Sequence, residues 1–392
     1  MAYLLKLFSM NLDNRIYLDN AATTQIDPEV LETMLPWLSN QYGNPSSIHG
    51  HGRVVKSAIE QARKTVASLL NTSPSEIFFT SGGTEADNTA ILSSVETYQL
   101  THAITSALEH HAVLHTLEFL DKQGKIKLSL VNVDAKGHVD LAHLEELLRT
   151  NPRSLVSLME GNNEIGNLLD LNSVGDLCAQ YNAIFHSDTV QTVGHLRHNL
   201  QQLNTHFIVG AAHKFHGPKG VGFLYVNNQT KIEPFVHGGS QERNMRGGTE
   251  NVYGIIGLAK ALEIAYRDMD DHRAHIEGLK KRAIAQFIEK IPDVRFNGDS
   301  ANLERSNYTV LNVCFPPSDI SDMLLFNLDI AKISVSGGSA CASGSDVGSH
   351  VLGAINVAAN CSNARFSFGK YNTEAEIDYT VQTVADLFVV NA

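Results

Sequence analysis

"HFIVGAAHKFHGPKGVGFLYV", residues 206–226, reads as two short apolar strands joined by a turn that carries a His-Lys pair. The first strand delivers Lys214 at its end, with the turn sequence GPKG close behind. A lysine leaving a buried strand beside another cationic group can have its pKa lowered, and a neutral amine is a nucleophile. Taken alone, the stretch is better read as a lysine whose head snorkels from a strand end into water. What the rest of the chain places beside it decides between the two.

Outward from this stretch the pattern repeats. Upstream, the apolar runs "EIFFT", "HAITS", "IKLSLV", "SLVSLM" and "AIFHSD" alternate with helical stretches such as "VVKSAIEQARKTVASLL". "DPEVLETMLPWL" opens a helix with Asp27 as N-cap and Pro28 at the first helical position. Seven short strands separated by amphipathic helices predict an α/β fold: a mainly parallel seven-stranded sheet with helices on both faces. Beyond residue 265 the texture changes to long helices ("HRAHIEGLKKRAIAQFIEKI", "EAEIDYTVQTVADLFVV") flanking the strands "YTVLNVCF" and "ARFSFG". We therefore expect a large domain over 25–265 and a smaller α+β domain made of 1–24 and 266–392.

Composition narrows the class. A chain of 392 residues with 43% hydrophobic and 18% charged content is an ordinary globular protein, long enough for two domains. A net charge of −12 suits neither nucleic acid nor an anionic membrane. No apolar run reaches the ~18 residues of a membrane helix. The start, "MAYLLKLFSM", does not read as a signal peptide, and Met10 could be the natural start. Four cysteines (Cys178, Cys314, Cys341, Cys361) lie without metal-type spacing, which suits a reducing cytoplasm better than a disulfide framework.

In a sheet of this kind ligands sit beyond the carboxyl ends of the strands. "EIFFT" runs into SGGT (81–84), glycines and a threonine at a helix start, where backbone N–H groups favour a phosphate. The next strands deliver His110 and His111, then Asn162 and Asn163, then Asp188 and Gln191, then His213 and Lys214. Each has a plain alternative: a turn for SGGT, a cap for Asp188, a satisfied histidine for His110, a turn residue for Asn163. Together they fit pyridoxal 5'-phosphate (PLP). A lysine forms the imine, a carboxylate keeps the pyridine nitrogen protonated, and a histidine can stack on the ring and exchange protons.

At this point the motifs "YLDNAATT", "YGNPSSIH", "FTSGGTEADN", "EHHAV", "NNEIG", "HSDTVQ", "HKFHGPKG", "RGGTEN", "GSACASGS" and "RFSFGKYNTEAEID" resemble, in order and spacing, the cysteine desulfurases of the class-V aminotransferase family. The resemblance runs from about Ile16 to the C-terminus. It implies a fold-type-I PLP enzyme, a homodimer with sites near the subunit interface, and conversion of L-cysteine to L-alanine with a persulfide left on an enzyme cysteine.

Carried over by position, the resemblance makes Lys214 the Schiff-base lysine, Asp188 the partner of the pyridine nitrogen, and Gln191 the neighbour of the ring oxygen. His110 takes the ring-stacking place; Gly83, Thr84 and His213 take phosphate-side places; Thr249 reaches the phosphate from the partner subunit. Arg365 grips the substrate carboxylate, a task for a planar bidentate fork, and Asn163 lies on the same side. Cys341 receives the sulfur, and its setting, "SVSGGSACASGSDVGS", has the glycine- and serine-rich composition of a mobile loop. The other three cysteines are expected to be structural.

The sequence departs from the family at four places. Ala211 stands where a serine hydroxyl is frequent, Glu160 where a histidine is frequent, and Lys370 where an arginine is usual. The chain also stops soon after its last helix, so the tail that some members dock on an iron–sulfur scaffold is expected to be short or absent. A carboxylate at 160 near the cofactor could alter proton traffic or substrate preference. The alternatives to a desulfurase are a selenocysteine lyase, another PLP-dependent β-lyase or aminotransferase, and a non-catalytic PLP-binding regulatory subunit. A sulfur-acceptor protein, such as an iron–sulfur scaffold, is the expected partner.

Overall fold

The computed structural model describes residues 15–318, 321–337, 348–357 and 361–389. The chain divides into two compact units. The larger holds Thr23–Asn162 and Leu168–Met269; the smaller holds residues 15–22, Asn163–Asn167 and the chain from Asp270 onward. The first strand, β1 (Ile16–Tyr17), belongs to the smaller unit and pairs in parallel with Ile333–Ser334.

The seven apolar runs form the seven strands of one sheet in the larger unit. They are β2 (Ile77–Thr80), β3 (His102–Thr105), β4 (Lys127–Leu130), β5 (Leu155–Ser157), β6 (Ile184–Asp188), β7 (Phe207–Ala211) and β8 (Gly222–Val226). Their spatial order is β2-β8-β7-β6-β5-β3-β4. The neighbours from β7 across to β4 all pair in parallel, whereas β8 runs antiparallel to both β7 and β2. Residues 212–221 between β7 and β8 are too few for a crossover helix, so the two strands return as a hairpin. The mainly parallel sheet expected from the sequence is thus present, with one reversed strand inside it.

Every residue of β3, β5, β7 and β8 is buried, as strands covered on both faces must be. One apolar cluster joins β2, β5, β6 and β8 to helices Pro28–Ser39, Gly50–Leu69 and Val252–Arg267. As expected, Asp27 caps the first of these, accepting from Glu29 N at 2.8 Å, with Pro28 in the first turn.

The smaller unit holds an antiparallel sheet of β9 (Arg295–Phe296), β10 (Val310–Phe315) and β12 (Ser362–Ser367), ordered β12-β10-β9; β11 is Ile333–Ser334, the partner of β1. Helices Met269–Lys290 and Glu374–Val389 cover it, with Leu279, Phe287, Phe366, Val381 and Val384 in one buried cluster. Among the described residues no helix is long and apolar enough to cross a membrane.

The cysteines correct one expectation. Cys314 and Cys361, read as separate structural residues, are joined in a disulfide with their Cα atoms 5.5 Å apart. The cause is register: β10 pairs with β12 so that Cys314 lies opposite Asn363, two residues from Cys361. Cys178 is buried, and burial pushes its thiol up to about 12, the inert state expected of a structural cysteine.

Candidate active site

The carboxyl ends of β2, β6 and β7 bring most of the expected residues into the larger unit. Asp188 ends β6 and pairs with Val209 of β7; Lys214 follows five residues later in a one-turn 3₁₀ segment, Ala212–Lys214. The Lys214 carbonyl accepts from His195 Nε2 at 3.1 Å, a bond that anchors the turn through its backbone. His213 Nδ1 lies 3.2 Å from Thr23 Oγ1, and its carbonyl accepts from both the backbone and the hydroxyl of Thr24. Burial, then the charges of Lys214 and Lys219, lower the His213 pKa to about 4, so this imidazole is neutral and can offer a hydrogen bond without adding charge.

Gly83 is the first residue of the Gly83–Tyr98 helix, whose N-cap, Gly82, makes no side-chain capping bond. A Cβ on Gly83 would stand 2.8 Å from Val190 Cγ2, so only glycine lets this helix start approach the end of β6 so closely. Thr84 follows and is exposed. Bare N–H groups at a helix start, beside a strand end that carries a carboxylate and another that carries a lysine, match the phosphate and ring ends of PLP. The donor set therefore fits that cofactor. Ala211 is buried, and its Cβ lies 3.8 Å from the position a Gly83 Cβ would take, so the hydroxyl it lacks would have faced this helix start.

His110 is the N-cap of the His111–Lys122 helix: its Nδ1 accepts from Ala112 N at 3.2 Å, which fixes the ring and leaves the proton on Nε2. Gln191 is buried three residues beyond Asp188. Thr249 is exposed in the loop that precedes the Val252–Arg267 helix. That loop contains three successive left-handed residues, Glu242, Arg243 and Asn244 (φ 42°, 57° and 68°). Such backbone persists only where surroundings over-determine it. Here the buried Glu242 carboxylate accepts from Arg63 Nη1 at 2.7 Å, Arg63 Nη2 at 2.8 Å and Phe79 N at 2.8 Å, and Arg246 forks onto Glu85 of the Gly83–Tyr98 helix at 2.9 and 3.1 Å.

Asn163 and Arg365 belong to the smaller unit. Arg365 on β12 is buried, donating through Nη1 to the Asn163 carbonyl at 2.8 Å and through Nη2 to Asp19 Oδ1 at 2.7 Å. Its Nε has no hydrogen-bond partner among the described residues, a buried donor left for something else. Glu164, beside Asn163, accepts from the Ser349 hydroxyl at 2.5 Å, and burial raises its pKa. Cys341 lies outside the described residues.

The sequence reading missed a buried acidic group around Asp188. Burial, then the neighbouring Asp188 and Glu109 carboxylates, raise the Asp87 carboxyl, one turn into the Gly83–Tyr98 helix, well above the usual carboxylate range. Burial likewise pushes Glu109 up to about 8, although Met159 N and Ser106 Oγ donate to it. His186 shares a face of β6 with Asp188; burial drives it down to about 3, and its Nε2 stands 3.3 Å from Asp87 Oδ1. Raising Asp87 and Glu109 favours their neutral forms and so lessens repulsion between the carboxyl groups. Glu109 stood in the quoted motif "EHHAV" and Asp19 in "YLDNAATT", but nothing local marked either as a partner of Asp188 or Arg365.

With the lysine and the carboxylate placed at adjacent strand ends beside a glycine-opened helix, the chain can be compared with known proteins. The class-V aminotransferase family model matches residues 16–380. The chain belongs to the class-V aminotransferase family. Within that family it is 42% identical to "Cysteine desulfurase IscS" of Dictyoglomus turgidum, over 95% of this chain and 94% of the relative. It is 40% identical to "Putative cysteine desulfurase IscS 1" of Bacillus subtilis, over 95% and 98%. Among solved structures, a "NifS-like protein" superposes with a TM-score of 0.88 at 37% identity, covering 96% of this chain and all of the other. A NifS-like protein from Rickettsia africae gives 0.86 at 30% identity over 96% of this chain. The family resemblance and the fold class read from the motifs are both borne out.

Glu160, one of the departures from the family pattern, has a definite role in the structure. Its carboxylate accepts from His198 Nε2 at 2.7 Å and from the Thr192 hydroxyl. Burial alone would lower the His198 pKa, but the Glu160 charge and hydrogen bond outweigh it and raise it. A raised folded value means that the pair's full contribution is present below the ordinary imidazole pKa, about 6.5. It is lost as pH rises through the folded value. Thermal unfolding temperature should therefore fall from pH 6 to pH 9, and Glu160→Gln should cost about 1–3 kcal/mol at pH 6 and flatten the profile. Parallel profiles for the two proteins would assign the pH dependence to another group.

Proposed function

We infer that this chain is a PLP-dependent cysteine desulfurase, taking L-cysteine to L-alanine and handing the sulfur to an acceptor through Cys341. The observation that carries the residue roles is the pairing of β6 with β7, which sets Asp188 and Lys214 at adjacent strand ends beside the Gly83 helix start. PLP, when bound, supplies an electron sink for negative charge developing on the substrate carbon attached to its amine.

The chain's own groups do the rest. Lys214 offers the amine that holds the cofactor and afterwards moves a proton. Asp188 would hold the proton on the pyridine nitrogen, and the raised pKa values of Asp87 and Glu109 lessen their competition for it. N–H groups of Gly83 and Thr84, with neutral His213, would hold the phosphate, and Gln191 and His110 would serve the ring. Asp19 and the Asn163 carbonyl orient Arg365, so its fork meets the substrate carboxylate with little side-chain entropy left to lose. Cys341 receives the sulfur as a persulfide.

The same reading carries a homodimer in which Thr249 reaches the partner subunit's phosphate site, a cytoplasmic setting, and delivery of sulfur to an acceptor such as an iron–sulfur scaffold protein.

The test is product stoichiometry. With L-cysteine and a dithiol, the holoenzyme should yield alanine and sulfide in equal amounts. Pyruvate in place of alanine would move the chain to the β-lyases, and turnover of L-selenocysteine alone would make it a selenocysteine lyase.

A further inference from the structure

The smaller unit holds a cavity of about 360 Å³, and Cys361 is part of its wall. Gly337, Gly348, Ser349, Leu352 and Asn363 line it as well. Gly337 and Gly348 bracket in the chain the stretch 338–347, which carries Cys341. Among the described residues Cys361 is in the cavity wall and Cys314, more deeply buried at 3% exposure, is not, so Cys361 is the half of the disulfide that a molecule in the cavity meets first. Asn363 Oδ1 lies 3.3 Å from the Cys361 sulfur, an acceptor for a thiol proton, and is itself held by Asn297 Nδ2 at 2.7 Å.

A crosslink serving only to staple the core has no need of a cavity at one sulfur. The apolar cluster that surrounds β10 and β12 already closes this unit. Thiol–disulfide exchange, in contrast, requires that an attacking group reach one sulfur while the second stays close enough to resolve the intermediate. This arrangement meets both conditions.

We propose that Cys314 and Cys361 form a thiol–disulfide couple that accepts sulfane sulfur through this cavity and releases it as sulfide. In the reduced pair, the Cys361 thiolate attacks the outer sulfur of a persulfide, RSSH. The donor's S–S bond breaks, RSH departs, and Cys361 carries the persulfide. The Cys314 thiolate then attacks the Cys361 Sγ, forming the Cys314–Cys361 disulfide and expelling hydrosulfide. In sum, RSSH and two thiols give RSH, one disulfide and one hydrogen sulfide. The pair loses two electrons, and the sulfane sulfur gains them. A dithiol resets the couple. The proposal rests on the desulfurase reading only for its natural supply of persulfide.

The experiment feeds persulfide directly, so that the two readings fail separately. Full-length holoenzyme is reduced, freed of reductant without air, and given glutathione persulfide. Sulfide is measured, and digests are mapped for the Cys314–Cys361 crosslink. The expected result is one sulfide per chain together with formation of the crosslink. Cys314→Ser should stop at a Cys361 peptide heavier by one sulfur atom and release no sulfide. Persistence of the release in Cys341→Ser identifies Cys361 as taking sulfur straight from solution; loss there, with release intact in the wild type, identifies relay through Cys341. Either way the couple stands. It is overturned if the wild-type pair stays reduced in the presence of persulfide, or if the folded protein's disulfide resists reduction by a dithiol, since it is then a static staple. Neither outcome depends on the variants folding.

Discussion

Lys214→Ala should release no measurable sulfide from L-cysteine, a loss of at least ~10⁴-fold in rate, because the amine delivered at the end of β7 is then gone. The fold should survive. Lys214 closes a single 3₁₀ turn whose anchoring bond comes from its backbone carbonyl to His195, and alanine keeps that carbonyl. Helix and strand ends tolerate the small residue, so thermal stability should change by only about 1 kcal/mol. PLP should still bind through the Gly83 helix start, the Asp188 carboxylate and His213, but hydride reduction of the loaded protein should leave no cofactor on the peptide around 214. Near wild-type turnover would remove Lys214 from the chemistry and return it to the role of a strand-end cation.

Cys341→Ser separates cofactor chemistry from sulfur transfer. Serine matches cysteine in size, but its oxygen cannot carry sulfane sulfur, so alanine formation should fall by ~10²-fold or more while PLP loading and L-cysteine binding stay at wild-type levels. Wild-type protein treated with L-cysteine should carry an additional sulfur on the Cys341 peptide, and the variant should not. A β-lyase needs no acceptor thiol, and unchanged turnover in the variant would favour it. Additional sulfur found only at Cys361 would make the 314–361 pair the primary acceptor.

Much of this was legible in the sequence alone. The seven apolar runs became seven strands because strand burial is a local property: an unbroken run such as "FIVGA" can only be covered on both faces. Lys214 and Asp188 could be named because a strand's chemistry gathers where its apolar run stops. Asp27 with Pro28 announced a helix because capping is settled within one turn.

The pairings were not legible, since each joins residues whose separation in the chain carries no periodic signal. Asp87, Glu109 and Asp188 gather because a helix and a loop close on the end of β6, and only that enclosure strips away the water that would otherwise hold Asp87 and Glu109 in the ordinary carboxylate range. Glu160 finds His198, Arg365 finds Asp19, and Cys314 finds Cys361 through registers that many compact arrangements of the same strands would have broken. The sequence by itself determined which residue types stand at which strand ends, because local burial and turn chemistry decide that. Tertiary structure alone decided which of them touch and which lose their charge, because contact and desolvation exist only once distant segments are packed together.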